Sequence, residues 1–299
     1  MCIYVWTKRQ FLSLMAGVII LVILIAVSFN RYIAEKEAAN TKAVAAFAAE
    51  AITVVTDDYV SPQVTNTKMT KPAFQVEVIT PTALPEKQQK KILIYHTHTW
   101  EAYQQVASSP YQETEKWRTQ DNNCNVVAVG AALAAQLRAL GFTVVHDSTA
   151  YEPPNLDTSY ARSLLMLEER TAMGESYDLY IDLHRDAISA SSSIKRTVNI
   201  SGIESARFMV LVGKGTGAGF DVKPDWEANL RYAQAITDSL NNQADGLCRD
   251  IKIKTGRFNQ HIAPRCVLIE CGNNLNTLEQ TLNGIPYLAQ AIASCLNAI

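Results

Sequence analysis

The chain opens on an apolar block with no polar face. Phe11–Phe29 (FLSLMAGVIILVILIAVSF) runs nineteen residues without a charge. At about 1.5 Å per residue that nearly matches the ~30 Å hydrocarbon core of a bilayer, which predicts one N-terminal transmembrane helix. The competing expectation is a cleaved signal, whose apolar region is usually about 7–15 residues and ends in small residues. Only Ala38-Ala39 offers such an end. Lys8 and Arg9 precede the block, and Arg31, Glu35, Lys36 and Glu37 follow it with mixed sign. Residues 1–10 are therefore expected as a cytoplasmic tail, with everything past residue 30 outside the membrane. Residues 34–51 are rich in Ala, Glu and Lys and predict a short helix. Residues 56–91 gather Thr, Pro, Lys and Gln and read as a linker with one short strand at 74–79. The expected division is a tail (1–10), a membrane helix (11–29), a juxtamembrane helix and linker (30–88) and a folded domain (89–299).

From about residue 90 the pattern changes to short β-rich runs alternating with helical spacing. Strands are predicted at 91–95 (KILIY), 142–146, 177–183 (YDLYIDL), 196–200, 206–212, 250–254 and 267–270. Helices are predicted at 126–140, stopped by Gly141, at 157–173 and at 226–241. A further pair is expected within 275–298, divided near Gly284–Pro286. The alternation predicts an α/β fold with a mostly parallel central sheet flanked by helices.

Composition narrows the function. Of 299 residues, 48% are hydrophobic and 19% charged, enough for a substantial core. The net charge of −2, from 27 basic and 29 acidic residues, excludes general nucleic-acid binding, which needs a basic surface. Cys124, Cys248, Cys266, Cys271 and Cys295 are an odd set beyond the apolar block, so at least one has no partner within the chain. Cys266 and Cys271 share a predicted strand and point to opposite faces, so they are not a disulfide pair.

In parallel sheets, ligands bind beyond the carboxyl ends of the strands. That rule selects His96, His98 and Glu101 after the first strand, His184-Arg185-Asp186 after YDLYIDL, and Glu270 at the end of CVLIE. Two imidazoles and a carboxylate from separate segments suit a catalytic zinc, which takes three protein ligands and keeps a position for water. A further carboxylate could then act as general base. Each signal is weak alone. A histidine after a strand is commonly a loop residue, and a glutamate there a rim charge. His-Arg-Asp resembles a kinase catalytic loop, but the Gly-rich loop, strand lysine and DFG segment are missing.

Three blocks, in order, are more specific. ILIYHTHTWEAY (92–103), YIDLHRDAI (180–188) and FNQHIAPRCVLIECGNNLNTLEQ (258–280) resemble the motifs of the stage II sporulation protein P family, with the intervening 130–147 and 159–169 at fitting distances. The resemblance covers about 88–298. It implies a membrane-anchored, extracytoplasmic peptidoglycan hydrolase, distantly related to the zinc N-acetylmuramoyl-L-alanine amidases and sharing their amidase-like sheet. It implies a role in septal thinning and engulfment, in the intermembrane space of the sporulating cell. It implies a substrate in the peptidoglycan stem peptides, and as partners the membrane and the stage II sporulation proteins D and M, among them a lytic transglycosylase. The implied zinc ligands are His98, with His96 as its alternative, Glu101, with Glu113 and Glu115 competing, and His184. Glu270 matches the catalytic base. Arg185 is expected either to stabilise an oxyanion or bind a stem carboxylate, or to pair with Asp186. Asn273, Asn274, Arg265 and Gln260 are expected along the substrate groove. Trp100 and Cys271 stand where the family usually has small or apolar residues. Cleavage of peptide cross-links by the same site, or a wall-binding scaffold without catalysis, are the alternatives.

Overall fold

A computed structural model describes residues 89–298, apart from Ser108 and Ala218. The expected tail, membrane helix, juxtamembrane helix and linker lie outside the described residues. Among the described residues no helix is long and apolar enough to cross a membrane.

Eight strands and four α-helices follow in the order β1 (Lys91–Tyr95), α1 (Val126–Ala139), β2 (Thr143–His146), α2 (Ser159–Ala172), β3 (Leu179–Asp186), β4 (Thr197–Ile200), β5 (Ile203–Ala206), β6 (Phe208–Gly213), α3 (Trp226–Gln243), β7 (Lys252–Lys254), β8 (Cys266–Asn273) and α4 (Leu278–Asn297). Six strands form one sheet in the order β2-β1-β3-β8-β6-β7, and β4-β5 form a separate hairpin. β2, β1, β3 and β8 are mutually parallel. β6 runs antiparallel to β8 and carries β7 parallel to itself. The sheet is mostly parallel, as its alternating sequence predicts.

Its two faces are unequal. Ile92, Ile94, Leu179, Ile181, Leu183, Val267 and Ile269 pack with α1, α3 and α4 in the main core. The alternate residues Leu93, Tyr95, Tyr180 and Cys266 meet Leu167 of α2 in a smaller one. Alternation along β3 therefore sends Asp182 and His184 to the α2 side. There the apolar layer ends and a buried polar cluster takes over. All five described cysteines are free, and Cys266 and Cys271 do face opposite cores.

Three boundaries differ from the sequence pattern. The expected strand at 206–212 is preceded by one more, β5, because Ser201 (φ 52°) and Gly202 (φ 90°) close a two-residue hairpin between it and β4. Both turn residues sit in the left-handed region that such hairpins require. The helix pair expected within 275–298 is one helix that runs through Pro286. Gly284 is not a break: a Cβ there would lie 2.7 Å from the Phe208 ring, so its bare Cα lets α4 settle onto β6. Finally, β3 and β8 extend to Asp186 and Asn273. His184 and Glu270 thus lie within the strands, as register partners.

Gly130 of α1 shows how tightly the main core fits beneath the site. A Cβ there would stand 2.6 Å from the His96 ring and 2.7 Å from His146 Nε2. His96 Nδ1 donates to the Leu183 carbonyl (2.9 Å), since a carbonyl can only accept. A neutral His96 then accepts at Nε2 from His146 Nε2–H (2.9 Å). Burial pushes the His146 pKa down to about 4, with the Arg138 charge adding to it.

Gly130→Ala is expected to destabilise the protein by ~1–3 kcal/mol in denaturant titration, because overpacking outweighs the better helix propensity of alanine. The neutral His146 also sets a pH dependence. Its folded pKa lies below the ordinary value of 6.5, so the unfolded chain takes the proton first. The stability that it contributes is present above about pH 6.5 and lost as the pH falls towards 4. Denaturant midpoints measured across that window should fall less steeply for His146→Gln.

Candidate active site

The site is assembled on the α2 side of the sheet from three stretches of chain. β3 supplies Asp182 and His184, β8 supplies Glu270, and the loop after β1 supplies His98 and Glu101. That loop is held by short antiparallel bridges, Glu101 to Arg118 and Ala102 to Asn125. They turn the Glu101 side chain inward, and only 9% of the residue remains exposed.

His184 is the centre of the cluster. Its Nδ1 lies 3.3 Å from Glu101 Oε2 and its Nε2 2.9 Å from Asp182 Oδ1. The second contact is a close ion pair, although its angle lies off the ideal hydrogen-bond direction. Burial lowers the proton affinity of this imidazole, but the Asp182 and Glu101 charges outweigh it and hold its pKa well above the ordinary value. Burial raises Glu101, yet His184 and then Arg185 draw it down to about 2. Glu101 Oε2 also accepts the Arg185 backbone N–H (3.0 Å). Glu270, half-buried beside His184, has an Oε2 without a hydrogen-bond partner. Burial, helped by the charges of Glu101 and Asp186, raises its pKa to about 8.

His98 faces His184 edge to face with ring centroids 5.2 Å apart, and Tyr160 lies 5.4 Å away on another side. Its Nδ1 is 3.1 Å from Ser159 Oγ. The Ser159 hydroxyl donates to the Leu156 carbonyl (2.8 Å), so His98 is the donor in that pair and Nε2 is its free nitrogen. Burial, then the His184 charge, pushes its pKa down to about 4. Behind it lies Glu152, only 2% exposed, which pairs with Arg118 and accepts the Trp100 N–H (3.2 Å).

The donor set suits a zinc ion. Zinc–nitrogen and zinc–oxygen bonds of about 2.0–2.2 Å place tetrahedral ligands roughly 3.3 Å apart, and His184 Nδ1 and Glu101 Oε2 have that separation. One buried atom beside them, Glu270 Oε2, lacks a partner. Among the described residues no three His, Cys, Asp or Glu side chains already form a ready-made coordination group. His98 is the donor that has to close on the other two.

Comparison with known proteins defines the family. The stage II sporulation protein P family matches over residues 20–293. The chain belongs to that family. No curated protein sequence matches it. Solved structures that resemble it include the N-acetylmuramyl-L-alanine amidase of Mycobacterium smegmatis, at 14% identity, 70% of this chain, 98% of that one and a TM-score of 0.40. The CwlD amidase of Clostridioides difficile, in complex with the GerS lipoprotein, is 16% identical over 70% of this chain and 94% of its own, with a TM-score of 0.44. The catalytic domain of CwlV, an amidase of Bacillus (Paenibacillus) polymyxa, is 14% identical over 70% and 97%, with a TM-score of 0.42.

Other residues singled out in the family motifs have structural positions. His96 is fully buried on the opposite face, bonded to Leu183 and His146, and does not reach the cluster. Glu113 and Glu115 are exposed, bonded to Trp117 N–H and paired with Arg118, so Glu101 is the carboxylate that meets His184. Arg185 is not a partner of Asp186. Its Nε donates to the Ala102 carbonyl (2.8 Å) and its Nη2 to that of Trp117 (3.0 Å). Asp186 pairs instead with Arg249 (2.7 Å).

Three of the four expected groove residues are bonded to backbone groups, and the fourth lies elsewhere on the sheet. Gln260 is buried, bonded to Gly213 N–H and the Leu211 carbonyl. Asn273 accepts from Leu275 N–H, and Asn274 both accepts from and donates to the Ile188 backbone. Arg265 precedes β8 and so lies at the far end of the sheet, beside a cavity of about 430 Å³ with Tyr232 and Cys295. Asp182, Glu152 and Ser159 were not legible as site residues, although Asp182 could have been found two positions before His184 on the same face.

Arg185→Ala removes the donors of two carbonyls that fasten the Glu101 loop. The Trp117 carbonyl keeps the Ala102 N–H, so one buried acceptor, that of Ala102, is orphaned at a cost of about 1–3 kcal/mol. A loss of that size is expected in chemical denaturation, with Arg185→Lys restoring only part of it.

Proposed function

We propose that this chain is a membrane-anchored peptidoglycan hydrolase of sporulation, a zinc-dependent N-acetylmuramoyl-L-alanine amidase. One observation carries the reading: in a member of this family, His98, Glu101, His184 and Glu270 converge from separate stretches of chain on one side of parallel strands. His98, Glu101 and His184 would hold the ion. Zinc, when bound, supplies a Lewis acid that acidifies water and polarises the scissile carbonyl.

Glu270 has the role of general base. Its unpartnered Oε2 takes a proton from the attacking water and passes it to the leaving nitrogen. Water adds to the lactyl carbonyl of N-acetylmuramic acid, the C–N bond to L-alanine breaks, and a carboxylate and a free amino group result. Ser159 fixes the His98 ring so that Nε2 is left for the ion. Tyr160 and Phe258, 5.7 Å apart, extend an aromatic wall from His98. The apolar segment 11–29 would confine the domain to the membrane–wall space, where local concentration directs it to substrate.

Glu270→Ala should lower release from purified sacculi by roughly 10²–10⁴-fold with the fold retained by circular dichroism. A chelator should abolish release and added zinc restore it. Mass analysis should find free stem peptides. Split cross-bridges would instead identify an endopeptidase, and full function in Glu270→Ala would identify a wall-binding scaffold.

A further inference from the structure

His184 is held from behind by a chain of buried groups that no metal ligand explains. Asn259, with φ 53° in the left-handed region, donates from Nδ2 to Ser163 Oγ (3.1 Å). Ser163 and Thr97 hydroxyls are 2.9 Å apart. Thr97 Oγ1 is 2.7 Å from Asp182 Oδ2, and a carboxylate only accepts, so the Thr97 proton goes to Asp182. Ser163 therefore donates to Thr97, in preference to the Tyr160 carbonyl at 3.3 Å. Asp182 Oδ1 accepts the Thr97 backbone N–H (2.8 Å) and stands 2.9 Å from His184 Nε2. Ser163, Thr97, Asp182 and Asn259 are each at most 4% exposed. Each proton from Asn259 through Ser163 to Thr97 points one way, towards the Asp182 carboxylate.

We infer that Asp182 is the positioning residue of His184, and that the relay Asn259–Ser163–Thr97 aims its carboxylate. A carboxylate on one ring nitrogen of a histidine fixes the proton there and leaves the other nitrogen as the donor. Asp182 on Nε2 thus presents Nδ1 on the side of Glu101. Ser159 does the converse at His98, where Nδ1 carries the proton and Nε2 is presented. The two imidazoles would therefore offer unlike nitrogens to one ion. Asp182 is fully walled in by the sheet and touches no substrate.

This inference rests on the zinc reading above, and the test separates the two. Zinc affinity is measured on the full-length chain by competition with a chromophoric chelator, for wild type, Asp182→Asn and Thr97→Val. Removing such an outer carboxylate typically weakens binding about 10–100-fold. That loss is expected for Asp182→Asn, with a smaller loss in the same direction for Thr97→Val, which keeps the shape and the backbone N–H. Affinity within twofold of wild type in both variants overturns the assignment. Ring ¹⁵N spectra of the metal-free chain give a second readout: the His184 Nε2 signal should shift in both variants, and an unmoved signal also overturns it. A wild-type chain that binds no zinc would sink the metal reading alone, leaving the ring spectra to decide what Asp182 does.

Discussion

A positively charged imidazole enclosed by protein is costly unless opposite charges and hydrogen bonds surround it. Without a metal, His184 meets that condition through Asp182 on one nitrogen and Glu101 on the other, and a bound ion would take the place of the Nδ1 proton. Neither carboxylate is there by local preference. Asp182 rides the same strand face as His184, so β3 itself delivers both. Glu101 comes from a loop and arrives only because β1 lies parallel beside β3 and the chain leaves it at the same end. The arrangement is mutually dependent, since removing any member leaves an uncompensated charge in a low-dielectric setting. It accounts for a short apolar layer under α2 giving way to polar residues where the strands end.

The sheet's inequality follows. Three helices cover one face and build the large core, while one helix covers the other. The thin side leaves room for chemistry, and the thick side supplies rigidity. His96 belongs to the thick side. Although it lies two residues from His98, the turn at 97–100 that follows β1 separates the two histidines, and the helix above His96 tolerates only a glycine.

The alternating pattern disclosed the strands, the helices and the parallel sheet because period and turn residues are local properties. It also disclosed His98, Glu101, His184 and Glu270, since polar residues closing apolar runs are visible in a row of letters. What it hid depends on partners distant in sequence. Arg185 looked like a free cation next to Asp186, yet its guanidinium is used by carbonyls 83 and 68 positions away. Gln260, Asn273 and Asn274 looked like polar lining, but each repairs backbone groups where chain segments change direction. Pro286 looked like a break, but a helix packed along its length tolerates one missing donor. The Ser201-Gly202 corner was legible in principle, although only the strand before it, 196–200, was predicted and not its partner β5.

The fastening of the loop after β1 has a further meaning. A single guanidinium holds Ala102 and Trp117 together, and the Ala102 N–H also bonds to the Trp117 carbonyl (2.9 Å). The stretch between them is a closed excursion whose two feet are clamped, and Tyr103 at its start is pinned to the Cys271 carbonyl beside Glu270, so movements of its outer part are kept from Glu101. The outer part of the excursion can therefore flex like a hinged flap while the carboxylate behind it keeps its place.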